Sequence, residues 1–402
     1  MKIGMILDRV FPPDIRVEKE ARTLLKAGHE LFLLCMNTPD LPNNGIYEGI
    51  KLCRRDFYPK SFVVGKFNTL TNRLTFKNYK LISQIEKFVS ENSIEVLHVH
   101  DLPMVRTALV AGERKGVPVV ADLHENYPAA MQIYLTEADF KEKFLNGLNR
   151  WRRYENYCLK RVDHIIVVVD EAKERVINDY GISEDKITIV SNTEDIDYFE
   201  GLELDQELIN SYKDYFVITY VGNNFGAHRG LNVPIKAMPI LKEKIPNIRL
   251  LLVGGRGGNK AELERLALDL EVSQNVEFTG WKPFDLMPSY ISLSDICLVP
   301  HHSNPHTDTT VPHKLFQYML IGKPVVVSTC KPLARIVNET QAGLVFESGN
   351  SDDFARVCLE LLDADKRKQF GENGRRAVMT KYNWENTGKD LIKVYEKIRN
   401  TR

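Results

Sequence analysis

The sequence predicts an α/β protein made of two Rossmann-like, doubly wound domains facing across a cleft. Three observations predict it. Short apolar runs alternate with longer helical patterns, the alternation stops and restarts near the middle, and the chain has 402 residues. That length exceeds what one compact core organises and suits two domains.

The first half opens with a strand at Lys2–Leu7, a helix at Arg16–Ala27 that ends before Gly28, and a strand at Leu31–Cys35. Glu95–His100 and Val117–Leu123 are further strands, separated by a helical stretch that closes at Gly116, and His164–Val169 and Ile187–Val190 add two more. Runs that are apolar on both faces indicate parallel strands covered by helices. The stretch Asn192–Asp214 is acidic and poor in β-branched residues, and is the expected linker. The alternation restarts with strands at Phe216–Val221, Arg249–Val253, Val276–Phe278, Ile296–Val299, Pro324–Ser328 and Leu344–Phe346. Helical patterns intervene at Asn259–Leu270 and Asp352–Leu362. The expected domains are 1–195 and 196–384, with a terminal helix over 385–402 packing back on the first. Open α/β sheets bind ligands beyond the carboxyl ends of their strands, so a cleft between two such sheets is the expected site.

Composition narrows the function. Hydrophobic residues make up 43% and charged residues 27%, ordinary for a globular protein. Lys plus Arg is 54 and Asp plus Glu is 54, and a net charge of zero argues against a nucleic-acid coat. The six cysteines show neither CxxC pairs nor metal-ligand spacing and read as buried thiols of a reducing compartment. MKIGMILDRVFPP has too short an apolar run for a signal peptide, and no stretch approaches 18 apolar residues, so a cytoplasmic protein is expected.

The most informative segment is Thr309–Ser328, TTVPHKLFQYMLIGKPVVVS. Thr309 or Thr310 is placed to cap a helix and Pro312 suits its first turn. The free amides and the positive dipole end, with His313 and Lys314 alongside, then face an anion. Gly322 stops the helix and a buried strand follows. An ordinary helix-to-strand connection is the bland alternative.

A short helix followed by GKPVVVS resembles the signature of the family-4 retaining glycosyltransferases, which have the two-domain GT-B fold. Pro312, Lys314, Leu315, Phe316, Tyr318 and Met319 match the subgroup whose helix reads P-x-K-L-F-x-Y-M. The family's two glutamates, eight residues apart, fall here on Thr309 and Gln317. By resemblance, the second position accepts hydrogen bonds from the nucleotide ribose and the first contacts the donor sugar. Gln317 still accepts through its amide oxygen, though less strongly than a carboxylate, and Asp308 is a neighbouring substitute for the first.

The resemblance extends to other positions. The family's second domain opens with a strand and a loop of the form G-R-x5-K-G that grips the donor diphosphate. Here Val217–Val221 leads to Gly222, Asn223 and then His228–Arg229–Gly230. Arg229 takes the lysine position and holds phosphate bidentately. Asn223 takes the arginine position, and His228 or Lys314 offsets the missing cation. RLLLVGG ends in Gly254 and Gly255, which permit close backbone approach to a ligand. No G-x-G-x-x-G and no G-x-x-x-x-G-K-[ST] occurs, which weighs against a dehydrogenase or an ATPase.

In the first domain, HVHDLP and ADLHENYP close two strands. The family's histidine at the second strand end touches the donor sugar near its reactive centre, which assigns His124. Asp101 and Glu125 are candidates to orient the acceptor, and His98 reads as structural. In the first loop, DRVFPPDIRV, Arg16 is the candidate for an acceptor-side anion contact. The expected catalytic set is therefore His124, Arg229 and Lys314. Donor binding falls to Gly222, Asn223, His228, Gly254, Gly255, Thr309, Thr310, Val311, His313 and Gln317.

Asp195–Ile196–Asp197 is nominally D-x-D, but it sits at the domain exit, and no H-E-x-x-H occurs, so neither a metal nor another cofactor is expected. Residues 51–90 hold nine Lys or Arg against Asp56 and Glu86, interleaved with aromatic residues. Such a stretch suits anionic lipid headgroups or an acidic acceptor; aromatics packed inward under a solvated surface are the alternative.

The resemblance thus implies a metal-independent retaining transferase. It would move a sugar from a nucleotide-diphosphate donor to a hydroxyl of a glycan or lipid-linked acceptor, in surface polysaccharide synthesis. The partners implied are the nucleotide sugar, the acceptor and, through 51–90, the inner face of a membrane, with no nucleic acid. The rival readings are a GT-B nucleotide-sugar epimerase and a non-catalytic nucleotide- or glycan-binding scaffold.

Overall fold

A computed structural model of the chain describes residues 1–58, 71–72, 75–135, 147–255 and 258–400. The chain divides into two compact units, Met1–Ser191 with Thr387–Arg402, and Asn192–Asn386.

The N-terminal unit is built on β1 (Lys2–Ile6), β2 (Glu30–Met36), β3 (Asn44–Tyr47), β4 (Ile50–Arg55), β5 (Val96–His100), β6 (Val119–Leu123), β7 (His164–Val167) and β8 (Ile187–Ile189). Their order across the sheet is β3-β4-β2-β1-β5-β6-β7-β8. All neighbours pair in parallel except β3 and β4, which form an antiparallel hairpin. Every residue of β5, β6 and β7 is buried, as expected of strands covered on both faces. Strand order reverses between β1 and β5, so the loops after β1, β5 and β6 meet at a topological switch point.

The C-terminal unit carries β9 (Phe216–Gly222), β10 (Ile248–Gly254), β11 (Val276–Gly280), β12 (Ile296–Val299), β13 (Val325–Ser328) and β14 (Gly343–Phe346). They are all parallel, in the order β11-β10-β9-β12-β13-β14, the dinucleotide-fold order with its switch point between β9 and β12. Ile218, Tyr220, Leu250, Leu252, Ile296 and Leu298 anchor its core against the flanking helices. The expected fold class, two Rossmann-like α/β domains with parallel sheets, is the one observed.

Two segments depart from expectation. Asn192–Asp214 is helical at Ile196–Glu200 and Gln206–Ser211, each helix capped by an aspartate. Asp195 accepts from the Tyr198 amide at 3.2 Å and Asp205 from the Leu208 amide at 2.9 Å. The segment is part of the C-terminal unit, where Phe199 is fully buried against Phe284. Asp195 of the nominal D-x-D is therefore occupied as a helix cap.

The second departure is the start of the basic stretch, which is strand β4. Ile50, Leu52 and Arg54 face inward while Lys51, Cys53 and Arg55 are more exposed. Lys51 pairs with Glu30 at 3.0 Å, and Arg54 donates to the carbonyls of Pro42 and Phe11. Phe57 is buried, and Phe76 packs on Trp151 and Tyr154. Tyr58 and Tyr79 are exposed. Lys60, Phe62, Lys66, Phe67 and Arg73 lie outside the described residues.

The terminal helix, Trp384–Asn400, belongs to the N-terminal unit from Thr387 onward. Its Tyr395 is fully buried, and Gly388 lets it approach Thr23 of the helix Ile15–Lys26, where a Cβ would stand 3.0 Å from Thr23 Cγ2.

Candidate functional site

Each unit carries one cluster of chemistry-bearing residues at the carboxyl ends of its strands. In the N-terminal unit the two-residue period of β5 puts His98 and His100 on one face. Strand register then sets His100 opposite Asp122 of β6. The helix Ile15–Lys26 presents Arg16 and Glu20, one turn apart, to the same place. Arg16 clasps Asp122 through Nη2 at 2.7 Å and Nε at 3.1 Å, meets Glu20 at 3.0 Å and donates to the Val190 carbonyl at 3.0 Å. His98 Nδ1 lies 2.5 Å from the Tyr395 hydroxyl, and His100 Nδ1 lies 3.1 Å from Asp122.

His124 stands at the outer end of this network, with Nε2 2.7 Å from Asp122 and Nδ1 3.3 Å from Asp101. Asp101 in turn holds Arg9 at 3.0 Å. Asp101 has φ +64°, an unusual conformation for a residue with a Cβ, and its amide donates to the Asp122 carbonyl at 2.9 Å. Such strain, of order 1–3 kcal/mol, gathers at functional sites.

The electrostatics follow from these contacts. Burial works against the His124 imidazolium, but Asp101 and Asp122 outweigh it and raise its pKa to about 9. For Asp122, burial is likewise outweighed by Arg16 and His124, and its carboxyl is held well below the usual range. Burial, then the Asp122 charge, lift Glu20 to about 7. Burial and then His98 hold His100 neutral, with a pKa of about 3. Glu20, His98, His100 and Asp122 converge as metal ligands would, within 4.8 Å. Arg16, in contact with both carboxylates, already supplies the positive charge there.

In the C-terminal unit the loop after β9 and the loop after β12 meet. Gly230 (φ +66°) closes the turn Ala227–Arg229, and a Cβ there would lie 1.9 Å from the Pro300 carbonyl oxygen. Gly254 (φ +114°) passes so near Gly222 that a Cβ would stand 2.0 Å from its carbonyl oxygen. Only glycine permits both approaches. The turn delivers Arg229, whose Nη1 lies 3.3 Å from His301 Nε2. Lys314, in the first turn of the helix His313–Leu320, sets its ammonium 3.7 Å from the Tyr220 ring centroid. Burial, then Arg229, push the Lys314 pKa well below the lysine range. Among the described residues neither cation forms an ion pair.

Several expected residues occupy places the sequence did not disclose. Arg16, expected to reach an acceptor from a loop, is on a helix and 4% exposed, spent on Asp122 and Glu20, so it positions other groups instead. Neither Thr309 nor Thr310 caps the helix: Pro312 is its N-cap, and the Thr309 hydroxyl donates to the Pro305 carbonyl at 2.8 Å. Val311 is buried with its carbonyl taken by Asn192, and His313 opens the helix. Gln317 is 5% exposed, its amide donating to Glu194 at 2.7 Å. Gly222 lies against the Tyr220 ring, Gly255 against Phe225, and Asn223 is exposed. His228 flanks Arg229, and Glu125 follows His124, half-buried.

Sequence reasoning missed Glu20, His100, Asp122 and Glu194. The alternation in HVH and the Asp two residues before His124 were the available signals. A hollow of about 960 Å³, lined in part by Gly112, Val117, Tyr157, Asp163, Lys186 and Lys397, opens at the starts of β6 and β7. That is the opposite end of this sheet from the cluster around Asp122, and α/β sheets do their chemistry at the carboxyl ends.

Two family models match the chain. Glycosyltransferase Family 4 matches residues 15–198, and Glycosyl transferases group 1 matches residues 203–377. The phosphatidyl-myo-inositol mannosyltransferase of Mycolicibacterium smegmatis is 22% identical over 99% of this chain and 94% of its own. Among solved structures, sucrose-phosphate synthase of Thermosynechococcus elongatus superposes with a TM-score of 0.80 at 17% identity, covering 100% of both chains. Anabaena Alr3699/HepE in complex with UDP-glucose gives a TM-score of 0.74 at 15% identity, over 99% of this chain and 100% of that one. The two matched segments coincide closely with the two α/β units, and the chain is a glycosyltransferase belonging to the GT-B glycosyltransferases.

Proposed function

We propose that this glycosyltransferase is a retaining enzyme of the subgroup with a P-x-K-L-F-x-Y-M helix. It takes a sugar from a nucleotide-diphosphate donor and transfers it, without a metal, to a hydroxyl of a glycan or lipid-linked acceptor in surface polysaccharide synthesis. The observation that carries the reading is the pairing of Arg229 with Lys314: two basic side chains at a switch point, with no ion-pair partner among the described residues. An arriving diphosphate relieves the repulsion and accepts hydrogen bonds from both. The fully buried Tyr220 hydroxyl beneath Lys314 has no hydrogen-bond partner among the described residues. HepE, solved with UDP-glucose, supports a nucleotide-sugar donor.

In this mechanism the bond between the sugar's anomeric carbon and the diphosphate oxygen breaks. Arg229, Lys314 and the amides at the start of the helix His313–Leu320 stabilise the departing negative charge. The acceptor oxygen bonds to the same carbon on the face the diphosphate leaves, and its proton passes to the departing phosphate oxygen. Gln317 accepts from the ribose through Oε1, while Gly222, Asn223, His228, Gly254 and Gly255 shape the phosphate loops. His124, held as a cation by Asp101 and Asp122, serves the reacting sugar, and Asp101 and Glu125 orient the acceptor. Among the described residues, the exposed Tyr58 and Tyr79, with Lys77 and Lys80, are what the basic stretch offers to a membrane surface at the cytoplasmic face. No helix among the described residues is long and apolar enough to cross a membrane.

The test is thermal melting with UDP, GDP, ADP and CMP, with and without EDTA. A ligand at 100 times its Kd adds roughly 2.7 kcal/mol. Selective stabilisation by one diphosphate, unchanged by EDTA, is expected. A response to none removes the donor site, and a response lost with EDTA removes the metal-free mechanism. Retention is then read by NMR as the anomeric configuration of the product.

A further inference from the structure

Five of the ten histidines of the chain, His228, His301, His302, His306 and His313, fall between residues 228 and 313. The fold gathers the first four around Arg229. His301 Nε2 is 3.3 Å from Arg229 Nη1, and the His302 amide donates to the His228 carbonyl at 3.0 Å. The His228 and His306 rings meet edge to face at 5.7 Å. Lys314 faces the same space from its helix. The carboxylate on this loop, Asp308, is bound by the Ser303 hydroxyl at 2.9 and 3.0 Å and by the Lys331 amide at 3.3 Å.

The four histidines differ in what they can still do. His301 is buried against Arg229, His302 meets Asn232 at 3.0 Å through Nε2, and His306 is buried. His228 is half-buried, and neither of its ring nitrogens has a hydrogen-bond partner among the described residues. It is thus an imidazole beside a guanidinium, with both nitrogens unused.

We propose that His228 is a cation made by the ligand: neutral in the free enzyme, it takes up a proton when a diphosphate seats on Arg229 and Lys314. Donor binding therefore consumes a proton. The inference rests on the donor site proposed above and adds to it a mechanism of charge matching. In the free enzyme burial, then Arg229, His306, Lys314 and His302, hold the imidazole at a pKa of about 3. One unit charge brought to ~4 Å in a partly buried site moves a pKa by about 3 units. A diphosphate of opposite sign thus carries His228 to about 6, half-charged at that pH. The protonated ring then donates to a phosphate oxygen, a charge-assisted bond.

The test is titration calorimetry of the full chain with UDP-glucose and GDP-mannose, diesters that do not themselves titrate near neutrality. Each is run at pH 6 and pH 8 in two buffers of different ionisation heat. Uptake of about half a proton at pH 6 and almost none at pH 8 is expected, with binding about tenfold tighter at pH 5 than at pH 8. His228→Gln is expected to abolish the uptake and flatten the pH dependence. His306→Gln keeps both, and His228→Arg binds tightly at every pH without uptake. Binding by the wild type without uptake at pH 6 overturns the role of His228 and leaves the donor site standing. Uptake that persists in His228→Gln, whether from Lys314 or His306, overturns it as well. No binding of either nucleotide sugar at any pH removes the donor site, and this inference with it.

Discussion

The Gln317 side chain donates through Nε2 to the Glu194 carboxylate at 2.7 Å, in a buried site. That bond fixes which end of the amide faces which way, because only its nitrogen donates to a carboxylate. The carbonyl oxygen is left as the acceptor. The negative charge of this buried pair is carried by Glu194. Glu194 also accepts from the Asp195 amide at 3.1 Å, so its own position is fixed by the chain that carries it.

An exchange experiment follows. Gln317→Glu sets two carboxylates side by side, and one of them must carry a proton. The variant is expected to lose about 1–3 kcal/mol at pH 8 and less at pH 5. Adding Glu194→Gln restores a single carboxylate and is expected to recover most of the loss. Urea melts of the wild type and the two variants at both pH values decide it; a double variant as unstable as Gln317→Glu would break the account.

Lys314 sits in an unfavourable place, half-buried and facing Arg229. Lys314→Met is therefore expected to raise stability by about 0.5–2 kcal/mol while removing stabilisation by nucleotide diphosphates. Melting curves with and without nucleotide measure both effects. A variant that is less stable than the wild type would show that the lysine is structural.

Asp122 carries the polar network of the N-terminal unit. Asp122→Asn leaves the buried Arg16 without its main counter-charge and is expected to cost about 3–5 kcal/mol. His124→Gln, at the partly exposed end, is expected to cost far less while lowering kcat. Chemical denaturation and initial rates, compared for the two variants, separate an effect on stability from an effect on turnover.

The histidines give stability two opposite slopes. His124 has its pKa raised to about 9, so its contribution is complete below 6.5 and is lost as pH rises through 9. His100 and His164 are lowered to about 3 and about 4, chiefly by burial, so theirs is lost as pH falls below 6.5. His124→Gln is expected to flatten the alkaline limb alone, by on the order of 1–3 kcal/mol between pH 7 and 10. Melting temperatures across that range measure it.

Tyr395→Phe removes the hydroxyl that meets His98, leaving a buried imidazole nitrogen without a partner. A loss of about 1–3 kcal/mol is expected. Amide exchange should quicken through the helix Trp384–Asn400, and unchanged exchange there would mean the contact holds nothing in place.

Much of this fold was legible because parallel strands buried on both faces stand out as apolar runs. The expected Lys2–Leu7 and Ile296–Val299 differ from β1 and β12 by at most one residue. β4 was not legible, because Lys51, Cys53 and Arg55 alternate with its buried side chains and give a charged stretch. The helices of five and six residues near 200 are too short to show a period. Arg229 and Lys314, named from the sequence with the help of the family resemblance, are placed near one another in the C-terminal unit. The pairing of His100 with Asp122 was not legible, since strand register decides it, and Gln317 gave no hint of a partner 123 residues away.

The Tyr395 hydroxyl reaches His98 across 297 residues of sequence. On a ribosome, His98 emerges long before the side chain that completes its surroundings, and the whole C-terminal unit is synthesised in between. Domains commonly fold as they emerge, the N-terminal one first. Here the N-terminal unit lacks the hydroxyl that meets the buried His98 until the helix Trp384–Asn400 arrives. Nascent chains halted near residue 200 should therefore be open to protease and bind chaperones, and protection should appear only once Tyr395 has left the exit tunnel.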